Sequence, residues 1–118
     1  MAESETDCIF CRIAANEIPA QIVYEDEQAI AFRDINAQAP VHILIIPRQH
    51  IPSLNEATEH HKSTLGHLLY VAARIAESER LAPSGYRTVI NTGAGAGQSV
   101  FHIHLHVLGG RALNWPPG

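Results

Sequence analysis

Three histidines recur at every second position in Phe101-His102-Ile103-His104-Leu105-His106-Val107-Leu108. On an extended strand, successive side chains point to opposite faces, so His102, His104 and His106 share one face while Ile103, Leu105 and Val107 share the other. With 8 histidines in 118 residues, a random His-x-His-x-His is expected only about 0.04 times. A single metal ion cannot hold the trio. At about 3.3 Å per residue the outer two lie about 13 Å apart, whereas zinc holds each nitrogen at about 2.0 Å. The histidines must therefore divide their work, for example with one anchored, one reacting and one stabilising. The alternative is a half-buried strand that shows its histidines to solvent and binds nothing.

Two further stretches could join that chemistry. Asn91-Thr92-Gly93-Ala94-Gly95-Ala96-Gly97-Gln98-Ser99 has a backbone free to turn several N-H groups inward as an anion nest, and it delivers Ser99 to the start of the histidine stretch. It is no Walker A loop and no dinucleotide fingerprint, since neither Lys-Ser/Thr nor a helix follows; a plain flexible hairpin connection is the other reading. Loop donors beside a strand of imidazoles suit attack of a histidine nitrogen on phosphorus, with neighbours holding the phosphoryl oxygens as charge builds and water completing the cycle. Cys8 and Cys11 are three apart and would share one face of a short helix. They could be half of a zinc site completed by histidines, a redox pair, or two inert buried thiols.

The elements that must position these residues follow from pattern and punctuation. Asp7 is placed to cap a short helix through Cys8, Ile9, Phe10, Cys11 and Ile13, which Asn16-Glu17-Ile18-Pro19 ends. Gln21 to Tyr24 and Ala29 to Arg33 flank the acidic Glu25-Asp26-Glu27 as a hairpin. His42 to Pro47 is apolar on both faces and predicts a central strand. Taken alone, His42 and His50 at its two ends read as hydrogen-bonded structural residues. Residues 55 to 81 hold the long helix, with Leu65, Leu68, Leu69, Ala72, Ile75 and Ala76 as its apolar stripe. Tyr86 to Asn91 and 101 to 108 complete five strands. The expectation is an α+β fold with a mostly antiparallel sheet and one long and one short helix, in a single domain spanning 1-118. Residues 1 to 6 read as a flexible tail. The segment 109–118 reads as irregular, yet it carries Trp115 and should pack on something.

Composition narrows the class. Hydrophobic residues make up 46%, charged residues 17%, and the formal net charge is -4, as in ordinary soluble globular proteins. The basic residues are scattered, which argues against a nucleic-acid surface. No apolar run approaches membrane-spanning length, and the acidic first residues lack the apolar core of a secretory signal, so a cytoplasmic location is expected.

The stretch His102-Ile103-His104-Leu105-His106-Val107-Leu108 resembles the histidine triad of the HIT superfamily. Phe32-Arg33-Asp34-Ile35, Gln38-Ala39-Pro40-Val41-His42, Ile46-Pro47-Arg48-Gln49-His50-Ile51, Gly97-Gln98-Ser99-Val100, Gly109-Gly110-Arg111 and Trp115-Pro116-Pro117-Gly118 are similar to its Hint branch, the histidine triad nucleotide-binding proteins. The likeness runs from Cys8 to Gly118. It implies a HIT-like fold whose sheet continues across a homodimer, with the C-terminal tail reaching toward the neighbouring site, and a purine nucleoside phosphoramidase that cleaves the P-N bond of adenosine 5′-monophosphoramidates. By motif position it implies His104 as the nucleophile and His106 as a hydrogen-bonding partner of the phosphate. Ser99 stands near the leaving group with the N-H groups of Gly97, Gln98 and Ser99, Asn91 faces the phosphate or its leaving group, and His42 supports the triad. Asp34 takes the ribose hydroxyls, and Phe10, Ile18, Phe32 and Ile35 line the base pocket.

The cysteine pair departs from animal members and matches many bacterial ones. In those, Cys8, Cys11, His50 and His102 bind a structural zinc; no catalytic metal is implied. Two other activities stay open: hydrolysis of dinucleoside polyphosphates, the reaction of a sister branch that lacks the Trp-Pro-Pro-Gly ending, and a nucleotide-binding or interaction module with weak catalysis.

Overall fold

The computed structural model describes residues 7–118; the flexible tail expected over 1–6 lies outside them. Five strands form one antiparallel sheet: β1 Ile22–Glu25, β2 Ala29–Arg33, β3 Val41–Pro47, β4 Tyr86–Val89 and β5 Leu105–Gly109, in the order β1-β2-β3-β5-β4. β3 is central, as its unbroken apolar run predicts. The run is explained by cover on both faces. Ile43 and Ile45 join Ala29, Ala31, Leu105 and Val107 under the long helix α2, Lys62–Ser78, while Leu44 and Ile46 join Ile30 and Phe32 under the short helix α1, Ile9–Ala14. With both faces apolar, a one-residue slip carries no large hydrophobic penalty, so neighbouring constraints must hold the register.

One constraint is the β1–β2 turn. Asp26 accepts hydrogen bonds from the N-H groups of Gln28 and Ala29 and from the Tyr24 hydroxyl, and its carboxylate also meets His67 on α2 at 2.7 Å. Burial raises the affinity of this carboxyl for a proton, but those hydrogen bonds together outweigh it and hold the group well below the usual carboxylate range. The hairpin and the helix are thereby tied to one charged atom pair.

Several boundaries differ from expectation. The α1 cap is Cys8, whose sulfur accepts from Cys11 N-H at 3.3 Å, and not Asp7. The helix expected over 55–81 begins only at Lys62, because Ser53 and Thr58 cap two separate 3-10 turns, Leu54–Glu56 and Glu59–His61; it ends at Ser78, with Arg80 in the left-handed region just beyond, at φ 63°. Its buried stripe contains Val71, whereas Leu69 is 54% exposed. β4 ends at Val89, short of Asn91.

The histidine strand also starts late. Only Leu105 to Gly109 are in β5, and His102 and His104 precede it. The β3–β5 ladder stops at the Ile45–Leu105 pair, two residues short of the end of β3, and the N-H of Ile103 donates instead to the carbonyl of Ile51 at 2.7 Å. Among the described residues no helix is long and apolar enough to cross a membrane.

Candidate functional site

Two side-chain clusters lie on the α1 face of the sheet. In the first, Cys8, Cys11, His50 and His102 bring their ligand atoms within 4.8 Å of one another. Nδ1 of His102 lies 3.4 Å from the Cys8 sulfur, 3.5 Å from the Cys11 sulfur and 3.2 Å from Nδ1 of His50. Bond lengths of about 2.0 Å to nitrogen and 2.3 Å to sulfur at a tetrahedral centre place ligand atoms about 3.3 to 3.8 Å apart, so the separations fit zinc. The protonation pattern fits too. Nε2-H of His102 donates to the Pro47 carbonyl at 2.8 Å, leaving the Nδ1 lone pair for a metal. Burial, with smaller contributions from His50 and His104 and against the Pro47 hydrogen bond, pushes the His102 imidazolium down to about 4. The four residues form a Cys2His2 zinc site, and its sulfur-capped helix α1 carries Phe10 into the sheet face.

The second cluster is the reactive one. Nδ1-H of His104 donates to the His102 carbonyl at 2.8 Å, so Nε2 keeps its lone pair. Phe10 stands edge-on to this ring, 5.1 Å between centroids, and edge-on to Phe32 at 5.6 Å. His106 has the opposite tautomer, and a chain of donors sets it. Gln38 N-H donates to Nδ1 of His42 at 3.0 Å, so the proton of His42 sits on Nε2 and donates to Nδ1 of His106 at 2.9 Å. Nε2-H of His106 is buried and has no partner among the described residues. Asp34 Oδ2 lies 3.4 Å from His42 Nε2. That contact places a carboxylate beside the ring without a hydrogen bond, and burial lowers the His42 proton affinity by more than Asp34 raises it. The Asp34 carboxylate also accepts from Asn36 N-H at 2.8 Å.

Both rings open onto a cleft of about 280 Å³. Its walls include Phe10, Ile18, Phe32, Asp34, Ile35, Ser99, His104 and His106, all singled out in the sequence. Asn91, Gly97 and Gln98 do not line it. Asn91 sits beside Gly97, with its side-chain nitrogen 4.0 Å from the position of an added Cβ. The buried Gln98 side chain ties the loop together, accepting from Gly93 N-H and donating to the carbonyls of Pro52 and Val100. The backbone N-H groups of Gly97 and Gln98 are committed to the carbonyls of Ala94 and Gly93. The expected anion nest therefore shrinks to the neighbourhood of Ser99.

A HIT domain family model matches residues 15–113. The chain belongs to the HIT domain family. An uncharacterized HIT-like protein of Synechococcus elongatus is 59% identical over 95% of this chain and 97% of its own length. A 14 kDa zinc-binding protein of Zea mays is 54% identical over 97% of this chain and 90% of its own length. The crystal structure of a HIT family hydrolase from Legionella pneumophila superposes with a TM-score of 0.92 at 50% identity, covering 94% of this chain and 99% of that one.

In this HIT domain the cleft is completed by residues that sequence reasoning did not single out: Ile9, Ile13, Pro19, Ala20, Arg33, Leu44 and Val100. Apart from Arg33, their only signal was apolarity in or near a motif, which core residues share. Gln38 was legible only as part of a motif, and its role in orienting His42 through a main-chain N-H leaves no trace in residue type.

Proposed function

We propose that the protein is a purine nucleoside phosphoramidase of the Hint branch, acting as one catalytic unit over residues 1–118. The observation that carries this reading is the pair of opposed tautomers. His104 presents a bare Nε2 to the cleft while His106 presents an unpartnered Nε2-H beside it, the ring centroids being 5.0 Å apart. One is built to attack phosphorus and the other to hold a phosphoryl oxygen. A proton-bearing lone nitrogen buried at the edge of an apolar cleft is costly unless a ligand accepts from it.

In the reaction, Nε2 of His104 forms a bond to phosphorus as the P-N bond of the substrate breaks. The amine keeps the electron pair and takes up a proton from solvent at the Ser99 hydroxyl. Water then attacks the nucleotidyl-histidine, gives its oxygen to phosphorus and releases a proton, returning AMP and free His104. The apolar walls around Phe10, Ile18, Phe32 and Ile35 take the purine, and the Asp34 carboxylate takes the ribose hydroxyls. The Gln98 side chain ties down the loop that carries Ser99, and Asn91 stands beside Gly97 in that loop. When bound, zinc supplies a tetrahedral anchor that fixes α1 and His102, and His102 in turn orients His104 through its carbonyl.

The protein is read as a homodimer in the cytoplasm, where thiolates stay reduced. β4 lies at the sheet edge, and Leu69 and Tyr70 on α2 are 54% and 59% exposed. Trp115 is 80% exposed, so this chain alone does not supply the packing expected for it, although Arg87 holds the adjoining carbonyls of Leu113 and Asn114.

The test is AMP release from adenosine 5′-phosphoramidate and from diadenosine tetraphosphate, by the wild type and His104→Ala. Fast turnover of the phosphoramidate, abolished in the variant, is expected. Preference for the dinucleotide would move the protein to the sister branch, and AMP binding without turnover of either compound would make it a binding module.

A further inference from the structure

The His42–His106 pair can be wired in two directions, and one peptide group chooses between them. In the direction the structure takes, Gln38 N-H donates to Nδ1 of His42, Nε2-H of His42 donates to Nδ1 of His106, and the proton of His106 stands on Nε2. In the reverse direction His106 would donate from Nδ1 and keep a bare Nε2, and His42 would carry its proton on Nδ1. That proton would meet the Gln38 N-H across 3.0 Å, donor against donor. The reverse state is excluded only while the Gln38 N-H stays in place.

Gln38 lies in the loop 34–40 that joins β2 to β3. Much of what shapes this loop moves with it: Asn36 N-H donates to the Asp34 carboxylate, and the Gln38 side chain donates to the Asn36 carbonyl. Among the described residues, the turn after β5 supplies the contacts that reach the loop from beyond β3. Gly109 is paired with Val41, so continuing that register sets Arg111 opposite Ala39. Nη2 of Arg111 donates to the Gln38 carbonyl at 2.9 Å, while its Nη1 donates to the Ala112 carbonyl at 3.0 Å and braces the guanidinium. Gly110 lies so close to the loop that an added Cβ would stand 2.9 Å from Cβ of Pro40.

We propose that Arg111 is a positioning residue for the reaction: its guanidinium holds the Gln38 peptide in the orientation that keeps the relay's free proton on Nε2 of His106. The inference rests on the phosphoramidase reading, in which that proton holds a phosphoryl oxygen. Arg111 is exposed and does not line the nucleotide cleft; it acts through Gln38 and His42. A charged donor on a carbonyl is among the stronger hydrogen bonds, and a guanidinium fork can brace on one carbonyl while holding another. Without that brace the Gln38 peptide is free to turn, and the two directions of the relay coexist. Only one of them presents a donor to the charge that develops on phosphorus.

The test uses the full-length, zinc-loaded, isotopically labelled protein and compares wild type, Arg111→Ala and Arg111→Lys. Ring nitrogen shifts report the tautomer of each histidine independently of turnover, and His67, bonded to Asp26, is the internal reference. In the wild type, Nε2 of both His42 and His106 is expected to carry the proton. In Arg111→Ala the two nitrogen shifts within each of these rings should converge, as averaging between tautomers requires, with His67 unmoved. Alongside, kcat for adenosine 5′-phosphoramidate should fall about three- to tenfold with KM within about twofold. Arg111→Lys should recover part of both. Unchanged shifts in Arg111→Ala overturn the proposal whatever happens to kcat, since a contribution to stability alone leaves the tautomers as they are. Equal disturbance of His67 overturns it by marking a general loosening, and converged shifts with kcat unchanged overturn it by showing a relay that the reaction does not need. If the wild type releases no AMP, the phosphoramidase reading falls, while the ring shifts still decide whether Arg111 positions His106.

Discussion

At the scale of single residues, the site depends on which nitrogen carries the proton. His106 is pushed down to about 4, first by burial and then by the neighbouring imidazoles of His104 and His42, against a smaller opposing effect of Asp34. It is neutral at physiological pH, and His42, also lowered by burial, is neutral with it. The relay from Gln38 through His42 to His106 needs both rings in that state, because a protonated His106 would face the Nε2-H of His42 with a second donor. The His106 ring should therefore take up its proton only as pH descends toward about 4, read from its ring proton shifts. Stability should follow the same side. The unfolded chain keeps a histidine value of about 6.5, so between there and about 4 it binds more protons than the folded chain, and the folded state loses stability as pH falls through that window. Protonation of His106 near neutrality, or thermal unfolding that strengthens on acidification from pH 6.5, would contradict the assignment.

At the scale of elements, the end of β5 is held by two glycines whose requirements differ. A Cβ on Gly109 would meet both Leu81 methyl groups, at 2.8 and 2.9 Å, and the ends of a flexible side chain can yield. Gly110 has φ +91°, where a side chain is strained, and a Cβ there would also press on the Pro40 ring at 2.9 Å. Gly110→Ala is therefore expected to lower stability by about 1–3 kcal/mol, measured by urea unfolding; a change within about 0.5 kcal/mol, the ordinary range for surface substitutions, would show that the turn relaxes freely. The same segment shows how far local pattern reaches. The alternation of the histidine stretch puts the imidazoles on one face, but the ladder with β3 stops at the Ile45–Leu105 pair, and the N-H of Ile103 donates instead to Ile51 in the segment past β3. The cap of α1 shifts from Asp7 to Cys8 for a comparable reason, the sulfur already being turned toward Cys11 and the histidines.

At the scale of the whole molecule, the Cys2His2 site joins residues 94 positions apart, from Cys8 to His102. A six-residue helix has no stability of its own, so α1 stays on the sheet through Phe10, Ile13 and the metal. Removing zinc with a chelator is expected to lower the melting temperature clearly, while AMP release well below that temperature persists, since the zinc lies on His102 and not on phosphorus. Calorimetry with parallel zinc analysis reads this directly. Loss of zinc without a drop in melting temperature would remove the structural role.

Much of this protein is determined by short-range pattern. The period of two in the histidine stretch, the unbroken apolar run of β3, the stripe of α2 and the proline and glycine stops are local features, and local geometry follows from them wherever the segment lies. Cys8 and Cys11 by themselves left zinc, redox and inert thiols open, because His50 and His102 reach them only when β3 and the stretch before β5 lie side by side. The tautomers of His104 and His106 were likewise undecided, since the carbonyl of His102 and the N-H of Gln38 belong to backbone that every sequence possesses. Leu69 shares the spacing of the buried stripe, yet only the angle at which α2 meets the sheet turns it to solvent and Val71 inward. Residue types supplied the ligands, the nucleophile and the donor; the sheet register and the two covering helices decided which of them meet, and in which protonation state.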